Sequence, residues 1–232
     1  MNKDIIIDLR NVWKTYTMGD IKVHALRGLT LQIKKGEFLA IMGPSGSGKS
    51  TAMNMIGCLD VPTKGEIFLS GKNIGHLRES ELAKIRGKKI GFIFQKFNLL
   101  NTLTAAENIM LPMRFQNASF EDRRDKAQEL LELVNLTDRG YHRPNEMSGG
   151  QQQRVAIARS LSNNPEVILA DEPTGNLDSE TGHRVLDFLK KLHREKGTTV
   201  VMVTHDKKVA EEADRVEFLR DGVIIKEEGG KK

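Results

Sequence analysis

Four short apolar runs punctuate the chain: Phe38–Met42 (FLAIM), Ile90–Phe94 (IGFIF), Val167–Ala170 (VILA) and Val200–Val203 (VVMV). Each is too short for a helix and is bounded by polar residues or turn signals. Continuous apolar runs of this length are what strands buried on both faces require. Helical segments separate them, so the pattern predicts a mostly parallel, doubly wound sheet. Around them Ile5–Leu9, Val23–Ile33 and Gly65–Leu69 read as short strands, with turns at Lys34-Lys35-Gly36 and Ser70-Gly71-Lys72. Short strands joined by such turns predict an antiparallel β layer. Near the C-terminus, Val216–Leu219 and Val223–Ile225 flank Asp221-Gly222, a dipeptide suited to the positive φ angles of a tight hairpin.

Between Lys96 and Asn163 the periodicity changes. Residues 105–111, 121–134 and 151–161 predict helices, and in the second Ala127, Leu130, Leu131 and Val134 recur at helical spacing. The expected organisation is therefore an α/β core formed by 1–95 and 164–232, carrying the antiparallel β layer, with 96–163 as an inserted helical subdomain. Pro112 and Pro144 are expected at its joints.

Composition narrows the class. The chain has 232 residues, 38% hydrophobic and 29% charged, as expected of a globular domain with one sizeable core. No apolar run approaches the roughly 20 residues needed to span a bilayer. Met1-Asn2-Lys3-Asp4-Ile5 lacks the apolar core and cleavage site of a signal peptide. The single cysteine, Cys58, excludes an internal disulfide; it falls on the helix expected at 50–59 as a small core residue, and a reducing, cytoplasmic setting fits. The net charge is +5, and the basic residues are densest at Lys84–Lys89 and Lys231-Lys232. Such stretches read as solvated faces, or as contacts for nucleic acid or an anionic membrane. Gly229–Lys232 is expected to be a frayed tail.

Ligands of an open parallel sheet bind beyond the carboxyl ends of its strands, so those ends are where chemistry is sought. The first buried run leads into GPSGSGKS at 43–50, a match to the P-loop pattern G-x-x-x-x-G-K-[ST]. Gly43, Gly46 and Gly48 allow a tight turn with N–H groups pointing inward. The following helix begins with unpaired amides and a positive dipole end, a concavity for phosphate. Lys49 is expected to reach the terminal phosphates and the Ser50 hydroxyl to hold Mg²⁺. The competing reading, a flexible Gly/Ser loop, leaves the strand before and the helix after unexplained. The second run ends at Gln95, whose amide suits a metal or a water. The third ends at Asp171-Glu172: Asp171 suits Mg²⁺, and Glu172 suits a general base acting on water, although an acidic cap before Pro173 has the same sequence. The fourth ends at Thr204-His205, where His205 suits a γ-phosphate or a water. A further motif, Met147-Ser148-Gly149-Gly150-Gln151, opens the helix at 151–161. Ser148 suits its cap, and the two glycines suit a second anion site with no obvious partner inside the chain.

In this order the residues resemble the nucleotide-binding domains of ABC transporters, from Tyr16 to His205. GPSGSGKS resembles their Walker A motif, MSGGQ their signature with Met147 in place of Leu, and VILADEP their Walker B motif plus catalytic glutamate. Gln95 fits the Q-loop, Asn176-Leu177-Asp178 the D-loop and His205 the switch histidine. Tyr16 sits where the family stacks an aromatic ring on adenine, with a plain strand residue as the alternative reading. The resemblance implies a P-loop NTPase fold that binds ATP and Mg²⁺. It places Tyr16, Gly43, Ser45, Gly46, Ser47, Gly48, Lys49, Ser50 and Thr51 at the nucleotide; Ser50, Gln95 and Asp171 at the metal; and Lys49, Glu172 and His205 in catalysis. It also implies a head-to-tail dimer in which Ser148, Gly149, Gly150 and Gln151 of one subunit close over the other's ATP, with Asp178 near the two-fold. FQKFNLLNTLTAAENIMLPM and ADEPTGNLD resemble the subfamily of lipoprotein-release, macrolide-export and cell-division ATPases.

Those features imply an ATPase subunit peripheral to the inner face of a cell membrane, driving a separate permease through a docking groove at 97–112, with export or mechanotransmission as the output. A soluble ABC ATPase acting on nucleic acid or ribosomes is the rival that the basic balance permits. Such proteins usually carry long coiled-coil insertions or tandem ATPase halves, and nucleic acid is not expected as a partner. A small-molecule P-loop kinase would have no use for SGGQ.

Overall fold

The computed structural model describes residues 4–229. Residues 1–3 of the N-terminal stretch and 230–232 of the expected tail lie outside them. The chain divides into two compact units, Met1–Arg86 with Lys190–Lys232, and Gly87–Leu189. The 96–163 stretch lies wholly within the second.

The first unit contains two groups of strands. β1 (Ile5–Met18) and β2 (Ile21–Lys34) form a long antiparallel hairpin closed by Gly19-Asp20, and β4 (Lys64–Leu69) pairs β1 on its other side, with β5 (Lys72–Asn73) beyond it. This is the antiparallel layer, and its strands run farther than the short apolar segments at 5–9 and 23–33. Polar positions such as Lys14, Thr15 and Thr17, none of them fully buried, continue the ladder, where hydrophobicity gives no signal. Ile7, Leu9, Val12, Leu26, Leu29 and Ile33 are buried beneath it.

In the second group β3 (Phe38–Met42) lies between two parallel neighbours, β8 (Thr199–Thr204) and β9 (Arg215–Arg220), and β10 (Val223–Gly229) returns antiparallel to β9. Phe38, Leu39, Ala40 and Ile41 are each at most 2% exposed, the burial on both faces that a central parallel strand needs. Asp221 and Gly222 take φ angles of 51° and 79°, and Arg220 pairs with Val223 directly across them, the tight hairpin that Asp-Gly favours. α1 (Lys49–Ile56) follows β3. It ends three residues before the expected 59, because Gly57 caps it and Cys58 turns into the left-handed region at φ 55°. Cys58 is buried just beyond the helix, and burial pushes its thiol up to about 11.

In the second unit β6 (Ile90–Ile93) and β7 (Val167–Asp171) pair in parallel, and α3 (Ala105–Arg114), α4 (Phe120–Leu133) and α5 (Gly149–Leu161) supply the helical stretch. Each of these helices opens on a hydroxyl cap: Thr104, Ser119 and Ser148 accept from the third residue's N–H, and Thr104 and Ser148 complete reciprocal capping boxes. Pro112 lies inside α3 and not at a joint, where it withdraws one N–H donor from the helical ladder near its C-terminal end. Pro144 opens a short 3₁₀ turn at Pro144–Glu146, as a boundary proline does.

Two helices cross the division of the chain. α2 (Glu79–Lys89) takes up the basic 84–89 stretch and buries Leu82. α6 (Ser179–Lys196) follows Asp178, and α7 (Lys207–Ala210) follows β8. Among the described residues no helix is long and apolar enough to cross a membrane.

Candidate nucleotide site

In the first unit, the register Met42↔Thr204 brings the ends of β3 and β8 side by side. GPSGSGKS and Thr204-His205 therefore emerge along one edge, as the strand-end reasoning expected. The loop is seated firmly. A Cβ on Gly43 would lie 2.1 Å from the Leu219 carbonyl oxygen, so only glycine fits there. The Gly222 N–H donates to the Ser47 carbonyl at 3.0 Å, and the Arg27 N–H donates to the Gly222 carbonyl at 3.0 Å. The hairpin turn at Asp221-Gly222 thus buttresses a loop some 175 residues earlier, a role its sequence does not announce.

The amides at the head of α1 are open for an anion. Its cap, Gly48, has φ 101° and supplies no side-chain acceptor, so the helix start keeps its unpaired donors and positive dipole end. The buried Lys49 ammonium folds back and donates to the Gly43 and Pro44 carbonyls, 2.8 Å each, which holds a positive charge over the loop. Ser47 Oγ is buried without a hydrogen-bond partner among the described residues, whereas Ser45, Gly46 and Ser50 are exposed and Thr51 is half-buried. His205 is exposed immediately after β8, and the next turn is fixed by the Asp206 carboxylate capping α7.

Tyr16 lies on β1, as either reading of it required. Its hydroxyl donates to Asp60 Oδ2 at 3.0 Å, and the Lys14 ammonium, itself bonded to Asp60 at 2.5 Å, stands 5.0 Å from the ring centroid. Burial, together with the Asp60 carboxylate beside it, raises the Tyr16 hydroxyl above its ordinary value. Burial pushes Asp60 upward too, but hydrogen bonds from Lys14, the Val61 N–H and Tyr16 outweigh it and hold Asp60 below the usual carboxylate range. Lys14 and Asp60 were not singled out in the sequence; isolated charges on a strand and in a turn carry no pattern.

In the second unit the register Ile93↔Ala170 sets Gln95 and Asp171-Glu172 along one edge. The chain then closes a tight turn: the Gly175 N–H donates to the Glu172 carbonyl at 3.0 Å, and Glu172 itself sits at φ 44°. Gly175 is where two expected site residues meet, since a Cβ there would lie 2.9 Å from Gln95 Nε2 and 3.4 Å from Glu172 Oε2. Asn176 Nδ2 donates to the Gln95 carbonyl at 2.8 Å, tying the segment before α6 to the one after β6. The Asp178 carboxylate caps α6 by accepting from the Thr181 N–H at 3.0 Å, and that bond lowers its pKa.

MSGGQ begins α5 with the expected cap. Ser148 Oγ accepts from the Gln151 N–H at 3.3 Å, and Gln151 Oε1 accepts from the Ser148 N–H at 2.9 Å. Met147 is buried, filling the apolar position expected of Leu. Gly149 faces Phe97 and Leu177, and a Cβ on Gly150 would lie 2.5 Å from Thr181 Cγ2. Two further residues of α5 went unremarked in the sequence. Arg159 donates to the carbonyls of Phe97 and Asn98 at 2.8 and 2.5 Å, clamping the segment after Gln95; burial lowers its pKa. Gln153, fully buried, donates to the Pro173 carbonyl at 2.6 Å. Its only signal is position: it precedes Ala156 and Ile157 by three and four residues, a polar side chain on an apolar stripe.

Residues 26–175 match the family described as ABC transporter. The uncharacterized ABC transporter ATP-binding protein MJ0796 of Methanocaldococcus jannaschii is 54% identical over 227 residues, covering 96% of this chain and 97% of that protein. The macrolide export ATP-binding/permease protein MacB of Bdellovibrio bacteriovorus is 51% identical over 223 residues, 96% of this chain but 34% of that protein. A solved dimeric structure of MJ0796 in a post-hydrolysis state, bound to ADP and Pi, superposes with a TM-score of 0.90 at 52% identity, covering 97% of this chain and 99% of the other. The structure of cbiO1 from Clostridium perfringens, part of the transporter complex cbiONQ, gives 0.86 at 28% identity, covering 97% of this chain and 89% of the other.

Proposed function

The chain belongs to the ABC transporter family as an ATP-hydrolysing cassette, and from that premise we propose that two copies clasp two ATP molecules head to tail and drive a membrane permease. The observation that carries the nucleotide reading is the P-loop: uncapped amides at the head of α1, a cradle closed to any side chain at Gly43, and the Lys49 ammonium held over it. Amides from Gly46 to Thr51 hold the phosphates, with Ser45 beside them, and Lys49 meets the charge on the terminal groups. Tyr16 stacks on the adenine. Ser50, Asp171 and Gln95 are all hard oxygen donors, the kind Mg²⁺ prefers, and the metal would neutralise charge on the phosphate oxygens.

Glu172 takes the proton of an attacking water while His205 orients the γ-phosphate. The water oxygen bonds to phosphorus as the bond to the ADP oxygen breaks, and ADP and inorganic phosphate result. Ser148, Gly149, Gly150 and Gln151 of the second subunit cap the γ-phosphate, and Asp178 links the two sites near the two-fold. The dimeric, ADP-bound and Pi-bound relative supports this assembly. The name of the MacB relative, which joins ATPase and permease, supports a permease partner of the export or mechanotransmission kind, and with it a place at the inner face of a membrane. The helical stretch 96–163 forms the arm that meets the permease, through the segment 97–112. There the buried Asn108 amide accepts from the Leu100 N–H and donates to the Leu100, Leu103 and Thr104 carbonyls, which fixes the loop's shape.

The test is Glu172→Gln. Turnover should fall to a small residual rate, and size-exclusion chromatography with Mg²⁺-ATP should show a stable dimer. A protein that stays monomeric and still hydrolyses ATP would show that Glu172 is not the base.

A further inference from the structure

We propose that Gln153 is a positioning residue for Glu172: it ties the helix that begins with the signature motif to the turn that carries the base. This rests on the assignment of Glu172 made above. Gln153 lies one turn into α5 and is 0% exposed. Its Nε2 donates to the carbonyl of Pro173, the residue directly after Glu172, at 2.6 Å. The amide must be oriented this way, because its oxygen would repel another carbonyl oxygen.

Two observations set this bond apart from ordinary packing. First, Gln153 Oε1 is buried and has no hydrogen-bond partner among the described residues. A leucine or methionine would fill the same space with no unsatisfied acceptor, so packing alone does not account for an amide here. Second, the turn it holds is strained: Glu172 adopts φ 44°, a conformation that a side chain of this size persists in only where its surroundings enforce it. Within the turn, the Gly175 N–H fixes the Glu172 carbonyl at 3.0 Å. Gln153 fixes the next carbonyl from outside. Together they hold the two successive peptide groups that follow Glu172. A movement of α5 that follows closure of the signature motif on a partner's nucleotide is then transmitted by one hydrogen bond to the peptide that orients the base.

The inference is tested with Gln153→Met, which keeps the volume and removes the donor. We expect kcat for ATP hydrolysis to fall about ten-fold or more while KM for ATP stays within about twofold, because a displaced base slows chemistry without weakening nucleotide binding. In a Glu172→Gln background the same change should alter residual turnover less than about twofold, since the residue being positioned is already disabled. A kcat within about twofold of wild type, a KM that rises as kcat falls, or an equal loss in both backgrounds would each overturn the proposal. If Gln153→Met does not fold by circular dichroism, Gln153→Asn carries the same test, because it keeps an amide in the buried site but withdraws the donor by one methylene. Should Glu172→Gln turn over like wild type, both the base assignment and this inference fail; a normal Glu172→Gln loss beside an unimpaired Gln153→Met sinks the inference alone.

Discussion

Gly46 and Gly48 lie two residues apart in the same phosphate loop, yet the structure assigns alanine very different consequences at each. Both have positive φ, 77° and 101°. At Gly46 a Cβ would meet nothing within 4 Å, so Gly46→Ala faces only the backbone penalty of a left-handed conformation, about 1–2 kcal/mol. At Gly48 a Cβ would lie 2.5 Å from the Ala25 carbonyl oxygen and 3.3 Å from Leu26 Cδ2. The carbonyl belongs to the backbone of β2 and cannot rotate away as a side-chain tip would. Overpacking of that kind costs about 1–3 kcal/mol, on top of a φ farther from the left-handed minimum. Gly48→Ala should therefore destabilise by about 3 kcal/mol. For a chain of this size that lowers Tm by roughly 6–12 °C, against about 2–8 °C for Gly46→Ala. Differential scanning calorimetry of the two variants without nucleotide reads the contrast directly. Equal losses would refute the close approach of β2 to the loop. A more stable Gly48→Ala would refute the backbone geometry itself.

Lys49→Ala should abolish turnover or raise the Kd for ATP by more than about ten-fold, measured with a fluorescent analogue; unchanged activity would remove the P-loop reading. Cys58 should resist thiol reagents at pH 8 until the chain is denatured, since its thiol is buried and raised to about 11. The neutral thiol is the form the fold favours, so its contribution is fully present below the unfolded value and fades as pH climbs toward 11; Cys58→Ser should flatten that alkaline decline in a pH-Tm series. Asp60 has the opposite sign: its folded pKa is depressed, so its stabilisation holds above the unfolded carboxylate value and is lost as pH falls through the folded one. Asp60→Asn should reduce the acid sensitivity of Tm, and an unaltered acid limb would show that the Lys14 and Tyr16 contacts carry no weight.

What the sequence disclosed were features that chemistry enforces within a few residues. Buried strands announced themselves as apolar runs, the Asp221-Gly222 turn through the φ angles it needs, and the start of α5 through Ser148. The P-loop and MSGGQ were legible for the same reason: tight glycine turns and a capped helix start each demand a fixed local spacing. α2 was not legible, because a charged surface helix that buries a single side chain imposes no period, whereas α6 does carry one in its buried Val185, Leu186, Leu189 and Leu192 and went unread. Leu82 is the one buried side chain of α2.

The residues that escaped notice act across large sequence separations on partners that carry no signal, namely backbone carbonyls. Arg159 reaches Phe97 and Asn98, Gln153 reaches Pro173, and the Gly222 N–H reaches Ser47. Any residue offers a carbonyl, so identity at the receiving end is unconstrained and no motif forms. The trace such contacts do leave is on the donor side, as a polar residue where periodicity calls for an apolar one. Gln153 is such a case in α5, and Asn108, 0% exposed inside α3, is another. Both hold loops that the motifs alone would leave free to move. In a protein whose recognised residues mostly sit on loops, buried amides of this type decide whether those loops act as parts of one mechanism.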